Sequence, residues 1–143
     1  MRHFIPAFVL LLTAAPIQAQ TVFDRAVGAY GLPDDPAASC AANPHLLEFT
    51  GQPPHAFLTW NKPARTAQGE WTDRARFDIV DYDDSTIALM LEGDPNRTAT
   101  GDRITWLLRL TDNPAGYCWG RADWPSVRCV AAAVRCDAEA PTS

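Results

Sequence analysis

Six segments of β-favouring residues follow one another between residues 45 and 124, and turn-forming Gly, Pro, Asn and Asp residues separate them. Segments of this length and composition, punctuated in this way, are typical of strands. Because no helical pattern lies between them, consecutive strands are expected to pair antiparallel, as a meander. The predicted strands span residues 46–50, 56–61, 71–82, 86–92, 103–111 and 116–124.

Apolar and polar side chains alternate within these segments. In the third segment, Ala75, Phe77 and Ile79 alternate with charged residues. Successive side chains of a strand point to opposite faces, so such a strand has one apolar and one polar face. A long sheet of this kind must cover its apolar face, either by curling into a barrel or by packing on a helix.

A helix is predicted over residues 21–31, ahead of the strands. Thr21 is a suitable N-cap with Asp24 three residues later, and Gly31 is a suitable stop. The apolar residues at helical spacing are Phe23, Ala26, Val27 and Tyr30.

The predicted fold is therefore mainly β, an antiparallel meander of six or more strands curled into a small barrel or half-barrel that the helix caps. An α+β sheet wrapped on the helix is the alternative. The barrel architecture resembles small secreted lipocalin-like domains, although the first strand lacks a G-x-W motif. Residues 20–143 form one predicted domain, with a helix at 21–31, the meander at 45–124 and a tail at 125–143.

Residues 1–19 have the pattern of a secretory signal peptide. Arg2 precedes a short apolar run, and the small residues before Gln20 suit a cleavage site after Ala19. The apolar run is too short to cross a bilayer, so no membrane insertion is expected after cleavage. Among the basic residues only Lys62 is a lysine, a bias typical of GC-rich bacterial genomes. A periplasmic or secreted location is predicted.

The four cysteines predict two disulfides, since their number is even and the expected compartment is oxidising. They are Cys40, Cys118, Cys129 and Cys136, and no two have the close spacing typical of zinc ligands. Regular secondary structure would hold Cys129 and Cys136 too far apart to bridge. We therefore favour bonds from Cys40 and Cys118 to these two, with Cys129–Cys136 plus Cys40–Cys118 as the alternative.

Charge and motifs exclude several functions. A net charge of −5 disfavours nucleic-acid binding, and we expect no cofactor or metal. The acidic residues Asp81, Asp83 and Asp84 are interpreted as a turn rather than a calcium site. No catalytic motif is present, so an enzyme using His45 or His55 with a nearby carboxylate is the least favoured function.

Five tryptophans are more than a domain of this size easily buries, and this points to a cavity. In the last predicted strand, Tyr117, Trp119 and Arg121 share one face. We therefore expect an exported, non-enzymatic domain that binds an apolar or aromatic small molecule. A protein-partner module, such as an inhibitor of a cell-envelope hydrolase, is the alternative. The predicted ligand-binding residues are Trp60, Trp106 and Trp119 as apolar wall, Arg109 or Arg121 as polar anchor, and Tyr117.

Overall fold

The strands of this chain form a closed antiparallel barrel in a computed structural model that describes residues 19–66 and 69–137. Each strand pairs with the next in sequence, and the eighth pairs with the first. The predicted barrel is confirmed, in its closed form. The elements are α1 (Val22–Ala26), β1 (Gly28–Gly31), β2 (His45–Thr50), β3 (His55–Arg65), β4 (Trp71–Tyr82), β5 (Thr86–Leu91), β6 (Trp106–Asp112), β7 (Ala115–Arg121) and β8 (Val130–Arg135).

The predicted helix is shorter than expected, because only Val22–Ala26 is helical. Gly28–Gly31 is instead strand β1, which closes the barrel between β2 and β8. Glycine is a weak helix former. The Tyr30 side chain, which the helical spacing assigned to a buried face, is buried in the strand instead. The predicted cap is present, since Thr21 and Asp24 form a reciprocal capping box.

The prediction that residues 125–143 form a tail is also wrong in part, because they include strand β8. Its alanine-rich sequence has no alternation of polar and apolar residues, so no strand was expected there. Small residues let β8 lie close to β7, where Ala133 pairs with Tyr117 and is buried. A side chain at Gly116 would collide with the carbonyl oxygen of Ala133. The end of the tail, residues 138–143, and the predicted signal peptide up to residue 18 lie outside the described residues.

Two disulfides brace the barrel, between Cys40 and Cys136 and between Cys118 and Cys129. This is the favoured of the two expected arrangements. The first bond ties the connection between β1 and β2 to the end of β8, and the second closes the loop between β7 and β8.

One end of the barrel is filled and capped by α1. Val22 and Ala26 belong to the buried core, and the Phe23 ring packs edge-on against Phe49 and Tyr82, with centroids 5.1 Å and 4.8 Å away. The turns after β2, β4 and β6 lie at this end. In the turn after β4, the Asp83 carboxylate accepts hydrogen bonds from the backbone N–H groups that follow it, as the turn interpretation predicts. The connections after β3, β5 and β7 lie at the opposite end.

Candidate ligand-binding site at the open end of the barrel

A bulge in β3 shapes the open end. Pairing of β3 with β4 is interrupted between Thr59 and Ala64, and then resumes in a hairpin that extends past the barrel. The side chain of Asn43 holds the bulge, because it donates to the Lys62 carbonyl at 2.9 Å and accepts from the Lys62 N–H at 3.2 Å. Pro63 fits here, since a bulge does not require its missing N–H.

The hairpin, the loop after β5 and the start of β8 surround a cavity of about 890 Å³. Pockets that bind small molecules in proteins have volumes of roughly 300–1,000 Å³ and mostly apolar walls. The walls of this cavity include Leu58, Trp60, Ala75, Phe77, Leu91, Trp106, Trp119 and Val130. Size and lining both suit a small apolar molecule.

Indole rings form part of the cavity wall. Trp106 and Trp119 stand nearly perpendicular, at 82° with centroids 6.4 Å apart, and Phe77 stacks on Trp119 at 5.8 Å. All three tryptophans of the lining are half-buried, so part of each ring faces the cavity.

A buried polar pair lies beneath the indoles. His45 Nε2 and the Tyr117 hydroxyl are 2.5 Å apart, and both side chains are almost inaccessible to solvent. Burial lowers the pKa of His45 to about 4, so its imidazole is neutral at pH 7. Burial likewise raises the pKa of Tyr117. The rings of Trp60 and Trp119 pack against this pair and connect it to the cavity.

Asp94 provides a buried carboxylate in the cavity wall. Its side chain accepts from Trp106 Nε1 at 3.2 Å, and from the backbone and side-chain N–H groups of Asn96 at 2.9 and 3.0 Å. Asp94 is 7% exposed, whereas the other charged residues of the lining are exposed. These are Arg65, Glu70, Arg74, Arg76 and Glu92.

Of the two histidines in the described residues, His55 is the closer to a carboxylate. Its Nε2 lies 3.3 Å from Asp78 and 2.9 Å from the Arg76 guanidinium. Neither His55 nor Asp78 lines the cavity. His45 bonds to a tyrosine hydroxyl instead. Within the described residues, neither histidine combines a carboxylate partner with a place in this cavity.

The structure brings the three predicted wall residues together, since Trp60, Trp106 and Trp119 all line the cavity. Tyr117 lies in the core beneath them. The two predicted anchors lie elsewhere. Arg109 pairs with Cys118 on the opposite face of β6, and its Nε is buried without a partner among the described residues. Arg121 forms two hydrogen bonds with Asp123 and does not line the cavity.

The polar residues that do line the cavity were not predicted from the sequence. Arg74 and Arg76 lie on the polar face of β4, which the alternation assigned to solvent. Asp94 lies in the loop sequence Gly-Asp-Pro-Asn, which reads as a turn. Asp94 follows the predicted strand 86–92, which contains no tryptophan, so its local sequence carried no signal for a place in the cavity wall.

The described ranges contain no group of three or more His, Cys, Asp or Glu side chains that could hold a metal ion. Across those same ranges, no helix is long and apolar enough to cross a lipid bilayer. Comparison of the chain with known protein families, with curated proteins and with solved structures finds no match. The function is therefore inferred from the residues of the chain itself.

Proposed function

We propose that this protein is an exported, non-enzymatic barrel that binds an apolar or aromatic small molecule in the cavity at its open end. The observation that carries this proposal is the cavity of about 890 Å³ with three half-buried indoles in its lining. Indole rings left partly exposed in a concave site lose contact with water when an apolar ligand binds, and this favours binding.

Export is the second part of the proposal. The signal-peptide pattern of residues 1–19 and the two disulfides support it, since disulfides persist in oxidising compartments. Mass spectrometry of the protein recovered from the periplasm of an expressing bacterium tests it. The expected mass is that of a chain beginning at Gln20 with both disulfides formed, and an uncleaved, reduced cytoplasmic product contradicts it.

The binding part is tested by titration with N-phenyl-1-naphthylamine, a neutral apolar probe whose own fluorescence reports binding. Trp106→Ala and Trp119→Ala each remove one wall and should weaken binding about tenfold, as expected for the loss of one well-packed aromatic contact. Trp71→Ala is the matched control, because Trp71 is 71% exposed and does not line the cavity. Failure of the folded protein to bind, or equal loss in all three variants, would contradict the proposal.

A protein-partner module remains the second candidate, and the exposure of Trp71 favours it. This indole begins β4 at the end of the extended hairpin, and it is 71% exposed. Exposed tryptophans are enriched at protein interfaces. If Trp71→Ala abolishes capture of an envelope protein while the probe fails to bind wild type, this second function replaces the first.

A further inference from the structure

The charged residues that line the cavity differ in solvent exposure, and this difference favours one sign of ligand charge. Asp94 is 7% exposed, while the three arginines and two glutamates of the lining are exposed at the rim. Water and salt screen exposed charges strongly, whereas a charge in a buried setting acts through a lower dielectric. The least screened charge of the cavity lining is therefore negative.

The charge of Asp94 has no cationic partner in the described part of the chain. Its carboxylate accepts only from Trp106 and Asn96, which are neutral donors. Arg97, nearby in sequence, donates instead to the backbone carbonyl of Asp94 at 2.7 Å. Buried charges in proteins are normally paired. A ligand cation would supply the missing partner.

The indoles next to Asp94 add a second attraction for a cation. Trp106, whose N–H bonds to Asp94, and Trp119 stand at 82° and form two walls of a corner. The faces of indole rings attract cations, and aromatic walls of this kind recognise quaternary ammonium groups. Arg121 lies 5.7 Å from the centre of the Trp106 ring, but Asp123 neutralises it at 2.7 Å.

One of the rim arginines is paired with a carboxylate, and the other two contact neutral groups. Arg76 lies 3.5 Å from Glu92, the Arg74 guanidinium lies 4.0 Å from the centre of the Phe57 ring, and Arg65 donates to the Gly69 carbonyl. Because these arginines are also exposed, they should attract an anionic ligand less strongly than Asp94 attracts a cationic one.

We propose that the cavity selects an organic cation, an ammonium or quaternary ammonium group on an apolar body, with Asp94 as its counter-charge and Trp106 and Trp119 as the walls around it. This inference rests on the proposed ligand-binding function and adds the charge of the ligand to it.

Three probes of similar shape and different charge test the inference by isothermal titration calorimetry. They are benzyltrimethylammonium, its neutral isostere neopentylbenzene, and the anion benzylsulfonate. Wild type should bind the cation about tenfold more tightly than the neutral isostere, as expected for a desolvated cation–π contact beside a carboxylate. The anion should bind most weakly.

Asp94→Asn removes the charge and keeps one of the two acceptor oxygens, the one that accepts from Asn96, while its amide group replaces the oxygen that accepts from Trp106. It should bring the cation to about the affinity of the neutral probe and leave neutral binding unchanged. Glu92→Gln is the matched control, because it removes an exposed charge from the same rim and should preserve the preference. If Asp94→Asn does not fold, the wild-type preference is measured in about 0.5 M NaCl, where a buried pair persists and a rim pair is screened.

The outcomes separate the two proposals. Binding of the neutral probe with no preference for the cation, or a preference that Asp94→Asn retains or that salt abolishes, overturns the inference and leaves the binding function standing. Binding of none of the three probes to folded protein overturns both.

Discussion

At the scale of single residues, His45 makes stability depend on pH between 6.5 and about 4. Its imidazole is buried beside Tyr117, and burial lowers its pKa from 6.5 to about 4. The unfolded chain therefore binds a proton on this residue between these two pH values, while the folded protein does not. As the pH falls from 6.5 to 4, folding loses a contribution on the order of 3 kcal/mol.

His45→Gln removes the titrating group and keeps a polar partner for Tyr117. Urea denaturation measures the difference in free energy of unfolding between wild type and variant, which should be constant above pH 7. As the pH falls to 4, wild type should lose stability relative to the variant. A difference that does not change with pH would contradict the burial of a neutral imidazole.

At the scale of elements, the bulge of β3 sets the position of the cavity wall. Asn43→Ala leaves the N–H and C=O groups of Lys62 without their side-chain partner and should cost about 1–2 kcal/mol of stability. Because the bulge carries Trp60, probe affinity should also fall. Asn61→Ala is the control, since Asn61 is exposed in the same bulge and should change neither quantity by a comparable amount. Equal effects of the two substitutions in urea denaturation and probe titration would contradict this role of Asn43.

The elements also show what could be predicted from the sequence. Alternation revealed the central strands, because residues such as Phe77 and Leu108 bury one face of a strand whatever their neighbours. It could not reveal β1 and β8, whose glycine and alanine residues have no such pattern. The three indoles of the cavity were predicted from their strands, but Asp94 was not, because a turn aspartate and a buried carboxylate in a cavity wall have the same local sequence.

At the scale of the whole molecule, the two disulfides should contribute unequally. Cys40–Cys136 spans 96 residues of sequence and Cys118–Cys129 spans 11. Because a longer closed loop restricts the unfolded chain more, removing the first bond by double Cys→Ser substitution should cost about 5 kcal/mol and removing the second about 3 kcal/mol. Urea denaturation of the two double variants measures both costs. The reverse order would show that native-state contacts, rather than the unfolded chain, dominate these contributions.

At the scale of the whole barrel, α1 caps one end and the cavity lies at the other, and the proposed function depends on this open end. The five indole N–H groups report on it separately in a ¹H–¹⁵N correlation spectrum. Titration with N-phenyl-1-naphthylamine should shift the signals of Trp60, Trp106 and Trp119 together, with one dissociation constant, and leave those of Trp71 and Trp124 in place. A shift confined to Trp71 or Trp124, or no shift at saturating probe, would contradict the claim that this cavity is the binding site.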